Sequence, residues 1–187
     1  MFGAIPIEIL MDLQDLRTES LKRIIFLDID GVLNTTYSLG TDDVAILPEK
    51  VLLVKQLALQ TNSSIVISSS WRHNMTLAVM RVILECAGLT NVSIWGVTPE
   101  TLEEGSTRLD DGSYYENYGR GAFIKQFLEE NEYESYLIID DLPTDEFLEE
   151  QQAFLLNTSS SEGMTQELVD KGAEILGFSK IQNKIRD

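Results

Sequence analysis

Three short apolar runs in this chain end in residues able to do chemistry. Arg23-Ile-Ile-Phe-Leu leads into Asp28-Ile-Asp30-Gly31, Ser64-Ile-Val-Ile into Ser68-Ser69-Ser70-Trp71-Arg72, and Tyr136-Leu-Ile-Ile into Asp140-Asp141. Four carboxylates gathered at one edge would repel one another without a cation. Oxygen-only donors suit a hard ion, and Mg²⁺ is the natural candidate. The single histidine, His73, leaves no His cluster for a transition metal and no repertoire of imidazole bases. The single cysteine, Cys86, excludes an internal disulfide framework and any Cys-based zinc site. Catalysis here must therefore run mostly on carboxylates.

The elements that must position these residues alternate between strand and helix. Strands are expected at 23–28, 64–68, 91–95, 136–140 and 153–157, all short and apolar. Helices are expected from Pro48 to about Gln60, with proline in the first turn, and from about Asn74 to Ala87, closed by Gly88. Two more are expected over about 121–131 and over 165–176, with Gly177 as a candidate cap. Apolar residues from Ile9 to Leu21 recur at near-helical spacing. This reads as a helical extension over 1–21 ahead of one domain at 22–187. The alternation predicts a three-layer α/β fold, a parallel five-stranded sheet with helices on both faces. In such sheets ligands bind beyond the carboxyl ends of the strands, where the acids and serines fall. Residues 96–119 lack periodicity and read as a long loop carrying Tyr114, Tyr115 and Tyr118.

The chain has 187 residues and a net charge of −17. That balance disfavours non-specific binding to nucleic acid or to anionic membranes. The charge is uneven, because residues 100–150 hold 16 acids against three bases. No apolar run is long enough for a membrane span, and no basic segment precedes the first apolar residues. A cytoplasmic protein is the expectation.

With these motifs, the chain resembles the haloacid dehalogenase (HAD) superfamily of phosphotransferases. Ile25-Phe-Leu-Asp-Ile-Asp-Gly-Val-Leu-Asn34 is similar to its first motif, Ile65-Val-Ile-Ser68 to its second, and Leu137-Ile-Ile-Asp-Asp141 to its fourth, with Asp145 as a further acid. Gly119-Arg-Gly-Ala-Phe-Ile-Lys-Gln-Phe-Leu128 is the best match to the third, with Arg120 at the key position and Lys125 as its rival. The Ser-Ser-Ser-Trp-Arg stretch, the Arg-Gly-x-x-Ile-x-x-Phe-Leu segment, and Leu-Asn-Thr-Ser followed by Gly-Met-Thr resemble the small capless HAD domains of RNA-repair fusion proteins. The similarity runs from about Lys22 to Gly177. Phe123 departs from it, since such domains often carry Glu there.

The resemblance implies a phosphatase. Asp28 would be the nucleophile that forms an aspartyl-phosphate. Asp30 would protonate the leaving oxygen and then deprotonate the attacking water. Mg²⁺ would be held by Asp28, the Asp30 carbonyl, Asp140 and Asp141. Ser68, with Ser69 as the alternative, would hydrogen-bond the phosphate, and Arg120 would offset charge near Asp28. Arg72 and Lys125 are candidate substrate contacts, Arg72 serving equally as the partner of a surface acid. One serine of 68–70 is expected to cap the turn that follows. Trp71 and Trp95 read as packing residues and His73 as a surface or structural residue rather than a base.

Only 37 positions separate Asp30 from Ser68, and residues 96–119 number 24, too few for a folded cap domain at either place. The expected site is open and suited to large or exposed phosphoesters: a nucleotide or nucleic-acid end, a phosphopeptide or a small phosphoester. The alternative is a HAD-fold binding or regulatory module with weak or no turnover.

Overall fold

The computed structural model describes residues 22–38, 46–100 and 119–177. The helix expected within 1–21, residues 39–45 and the tyrosines of the long loop lie outside the described residues. Five parallel strands form one sheet: β1 (Lys22–Leu27), β2 (Ser63–Ile67), β3 (Ile94–Val97), β4 (Tyr133–Asp140) and β5 (Leu155–Asn157), in the order β3-β2-β1-β4-β5. Among the described residues four helices accompany it: α1 (Pro48–Thr61), α2 (Leu77–Cys86), α3 (Arg120–Glu130) and α4 (Gln166–Ile175). The three-layer α/β expectation is met.

Strand alternation divides the core in two. Ile25, Leu27, Ile65, Ile67, Leu137 and Ile139 pack with α1, α2 and α4 on one face. Ile24, Phe26, Val66 and Ile138 pack on the other with Ile124 and Phe127 of α3 and with Phe147. The central strands are buried on both faces over Ile24–Leu27, Ile65–Ile67 and Leu137–Ile139 and are apolar there, as parallel strands covered on both sides tend to be.

Several boundaries differ from the sequence expectation. The expected helix from Asn74 begins instead at Leu77, because the Thr76 hydroxyl accepts from Val79 N, and a 3₁₀ turn (Ser70–His73) precedes it. The third strand lies at 94–97 rather than 91–95. Asn91 has φ 64°, and pairing to β2 begins only at Ile94, opposite Ile65. The fourth strand starts three residues early, since Tyr133 and Ser135 pair with Lys22 and Arg23. Residues 153–154 belong to a 3₁₀ turn (Glu149–Phe154) rather than to β5. Pro48 does open α1, and Gly177 follows α4 with φ 81°.

Candidate active site

Asp28, Ser68, Thr98 and Asp140 each stand at the carboxyl end of a strand. Leu27 pairs with both Ile67 and Ile139, and Ile67 with Val97, so the four lie in one row across the sheet. The row continues the ladder: Asp28 N–H donates to Ile139 O (3.0 Å), Ser68 N–H to Leu27 O (2.8 Å) and Thr98 N–H to Ile67 O (2.9 Å). By period-two alternation these side chains share the face of Phe26 and Val66, the face that α3 covers.

Arg120, the first residue of α3, projects onto this row. Its Nη1 lies 3.2 Å from Asp28 Oδ1 and 3.1 Å from Asp140 Oδ2, and donates a hydrogen bond to Ser68 O. Gly121 makes the placement possible. A Cβ there would lie 2.5 Å from Gln151 Oε1 and 2.7 Å from Leu148 N. The bare backbone lets the helix start press onto the 147–151 turn, where Gln151 Nε2 donates to Gly121 O (2.9 Å).

Asp28, Asp140 and Asp141 offer carboxylate oxygens that lie within 4.8 Å of one another. Gly31, with φ 68°, brings the loop after β1 against Asp141, whose Oδ2 would be 2.0 Å from a Cβ at position 31. Burial, reinforced by the Asp28 carboxylate and opposed by Arg120, pushes the Asp140 carboxyl up to about 7. Burial and Asp28 also raise that of Asp141. Asp28 Oδ1 and Asp140 Oδ2 are buried and meet only the shared Arg120 Nη1, as ion pairs without hydrogen-bond geometry, while Ser68 Oγ and Thr98 Oγ1 have no hydrogen-bond partner among the described residues. Buried carboxylates crowded together and sharing one guanidinium are what a hard divalent cation relieves, so these residues fit Mg²⁺.

A family model of the HAD domain in Swiss Army Knife RNA repair proteins matches residues 24–169, well over half of the chain. The chain belongs to this family. No curated protein and no solved structure matches it significantly. Among the described residues no cap is evident on this HAD domain, and no helix is long and apolar enough to cross a membrane.

The HAD motif residues meet unevenly. Asp28, Ser68, Arg120, Asp140 and Asp141 converge. The Asp30 carboxylate lies outside the acidic trio: its Oδ1 accepts from Asn34 Nδ2 (2.8 Å) and its Oδ2 from Trp71 Nε1 (2.9 Å). Ser69 is the residue that caps the turn, accepting from Trp71 N–H (3.4 Å). Arg72 is buried, not paired at the surface. It donates to Ser69 O (2.8 Å) and Pro99 O (3.3 Å), with its guanidinium 5.2 Å from the Phe123 ring centroid. Burial and the like charge of Arg120 lower its pKa, against Glu100 and Asp28. Phe123, the departure from the resemblance, thus faces Arg72 with a ring where a carboxylate would have formed an ion pair. Lys125 is not brought to the row. It sits with Glu129 (3.8 Å), in a recess lined by Tyr133 and Tyr136 toward the amino end of β4. Asp145 is exposed in a 3₁₀ turn (Thr144–Glu146), apart from the trio.

Sequence reasoning missed Trp71, Asn34, Thr98 and Thr158. Thr158 Oγ1 donates to Gly31 O (2.9 Å), and Met164 N–H donates to Val32 O (2.9 Å). The Leu-Asn-Thr-Ser and Gly-Met-Thr stretches therefore brace the loop that carries Asp28 and Asp30. For Trp71 a signal existed: a half-buried indole N–H needs an acceptor, and carboxylates end the adjacent strand.

Proposed function

We propose that this chain is a Mg²⁺-dependent phosphohydrolase that works through an aspartyl-phosphate on Asp28. The observation that carries the reading is the convergence of Asp28, Asp140 and Asp141 with Arg120 bound to the first two. Asp28, Asp140 and Asp141 would hold the metal through carboxylate oxygens, with the Asp30 carbonyl as a further donor. When bound, Mg²⁺ supplies neutralising charge between Asp28 and a phosphate oxygen.

A carboxylate oxygen of Asp28 attacks phosphorus in line, and the bond from phosphorus to the leaving oxygen breaks. Asp30 gives its proton to that oxygen. Ser68 Oγ, which has no other partner among the described residues, donates to an equatorial phosphate oxygen, and Arg120 offsets the gathering negative charge. Asp30, now a carboxylate, takes a proton from water. The resulting hydroxide attacks phosphorus, releasing inorganic phosphate and restoring Asp28. Arg72 serves by holding the Ser69 and Pro99 backbones together beside Ser68.

The family's membership in RNA repair proteins favours a phosphate at the end of a nucleic-acid strand or on a nucleotide. The 16 acids against three bases in residues 100–150 oppose a long polyanion and favour a single terminal phosphate over an extended strand contact. The test is phosphate release from p-nitrophenyl phosphate with and without Mg²⁺, by wild type and Asp28→Asn. Mg²⁺-dependent release by wild type alone is expected, and equal release by both proteins contradicts the proposal. A panel of 3′- and 5′-phosphorylated oligonucleotides, nucleotides, sugar phosphates and phosphopeptides then ranks substrates. Preference for phosphopeptides or sugar phosphates would overturn the nucleic-acid choice.

A further inference from the structure

Asp30 is held more tightly than a surface turn residue requires. Both of its carboxylate oxygens receive a side-chain N–H: Oδ1 from Asn34 at 2.8 Å and Oδ2 from Trp71 Nε1 at 2.9 Å. The two donors come from different parts of the fold. Asn34 is fully buried in the same loop as Asp30 and is itself anchored, its Oδ1 accepting from Gly31 N–H at 2.9 Å. Trp71 is 41 positions away, on the 3₁₀ turn after β2.

That turn is fixed at both ends of its first residues. Ser69 Oγ accepts from Trp71 N–H, and the buried Arg72 donates to Ser69 O. The indole is therefore presented by a rigid support rather than by a free loop. One donor alone would leave the carboxylate able to swing about its remaining torsions. Two donors on opposite oxygens fix the plane of the group. Each oxygen keeps a second lone pair, so one site per oxygen remains to carry or collect a proton. Packing alone does not account for the residue, since an apolar ring would fill the space without directing an N–H at a carboxylate.

We propose that Trp71 is a positioning residue that aims the Asp30 carboxyl at the leaving-group oxygen. The inference rests on the reading of Asp30 as the proton donor given above. Its consequence is selective. A p-nitrophenolate departs with little help from an acid, whereas an alkoxide needs the proton as the bond breaks. Loss of aim at Asp30 therefore harms alkyl esters far more than aryl esters.

The experiment compares kcat/KM for p-nitrophenyl phosphate and for a simple alkyl phosphate, in wild type and Trp71→Phe, with Mg²⁺ present. kcat/KM reports the steps through departure of the leaving group, so it isolates the acid role from later hydrolysis of the aspartyl-phosphate. Orientation of a general acid commands about 10-fold or more in rate. The expected result is an alkyl kcat/KM lowered at least about 10-fold more than the aryl value. Equal loss on the two esters, or no loss, overturns the proposal while leaving the phosphatase reading intact. A wild type that cleaves neither ester overturns both. A second measurement does not depend on Trp71→Phe folding. The Trp71 indole ¹H–¹⁵N resonance, recorded in wild type and Asp30→Ala, should move strongly upfield in the variant while the Trp95 resonance stays. An unmoved Trp71 signal overturns the proposal.

Discussion

Replacing Asp140 by Asn should stabilise the metal-free protein while abolishing its activity. Asp140 has no exposed surface, and its Oδ1 accepts from Leu142 N–H at 3.0 Å. Asn keeps the shape and that acceptor but removes the charge. Burial and Asp28 push the carboxyl from its ordinary 3.8 up to about 7, with the attraction of Arg120 already included. At about 1.4 kcal/mol per pH unit this corresponds to roughly 4 kcal/mol between the two protonation states. The sign follows from proton counts. Between pH 4 and 7 the native state holds a proton that the unfolded state has lost. Stability from this group is therefore full below about pH 4 and is lost as pH rises through 7. Asp140→Asn should gain about 2–4 kcal/mol over wild type at pH 8 in EDTA, or some 5–15 °C in Tm, and no more than about 1 kcal/mol at pH 4.5. Added Mg²⁺ should raise the Tm of wild type and not of the variant, because only the native wild type binds it. Thermal unfolding at both pH values, with EDTA or Mg²⁺, reads all four states. The difference between proteins cancels the general repulsion of a chain with net charge −17. A variant less stable than wild type at pH 8 in EDTA, or a gain equal at both pH values, would refute the reasoning.

Other outcomes follow from the same geometry. Gly31→Ala forces a Cβ to within 2.0 Å of Asp141 Oδ2 at φ 68°; it should cost about 1–3 kcal/mol by denaturant unfolding and weaken Mg²⁺ binding by calorimetry. Arg120→Ala, which strips the cation from Asp28 and Asp140, should lower kcat about 100-fold or more, whereas Lys125→Ala should change it by less than about twofold in the same phosphate-release assay. Arg72→Lys cannot bridge the Ser69 and Pro99 carbonyls or stack on Phe123, and urea titration should find it about 1–3 kcal/mol less stable.

The strands and the row of chemistry at their ends were legible because burial on both faces makes parallel strands apolar without interruption. Ile24 to Leu27 and Leu137 to Ile139 announce themselves, and the first polar residue after each, Asp28 and Asp140, joins the candidate site. Period-two alternation then explains why Asp28, Ser68 and Asp140 share a face, although sequence alone does not say which. The choice between Ser68 and Ser69, left open by the sequence, turns on which serine caps the following turn, and that depends on where β2 stops. Arg120 and Lys125 are five positions apart on one helix, so only the docking of α3 through Gly121 decides which reaches the row. The β3 boundary was misread because Asn91-Val-Ser has strand-like composition, while its pairing partner on β2 admits it only from Ile94. Trp71 reads as packing in the sequence because its N–H finds its acceptor, Asp30, 41 positions away on another strand's loop, a contact that no local pattern encodes.

The central claim is a covalent phosphoryl transfer to Asp28, and trapping tests it most directly. Wild-type protein turning over a phosphorylated substrate with Mg²⁺ is quenched into borohydride, which reduces an acyl phosphate to the alcohol, and the peptide spanning 24–50 is sequenced by mass spectrometry. Homoserine is expected in place of Asp28, absent without substrate or Mg²⁺. Turnover with Asp28 recovered unmodified, or the label at another acid, would contradict it.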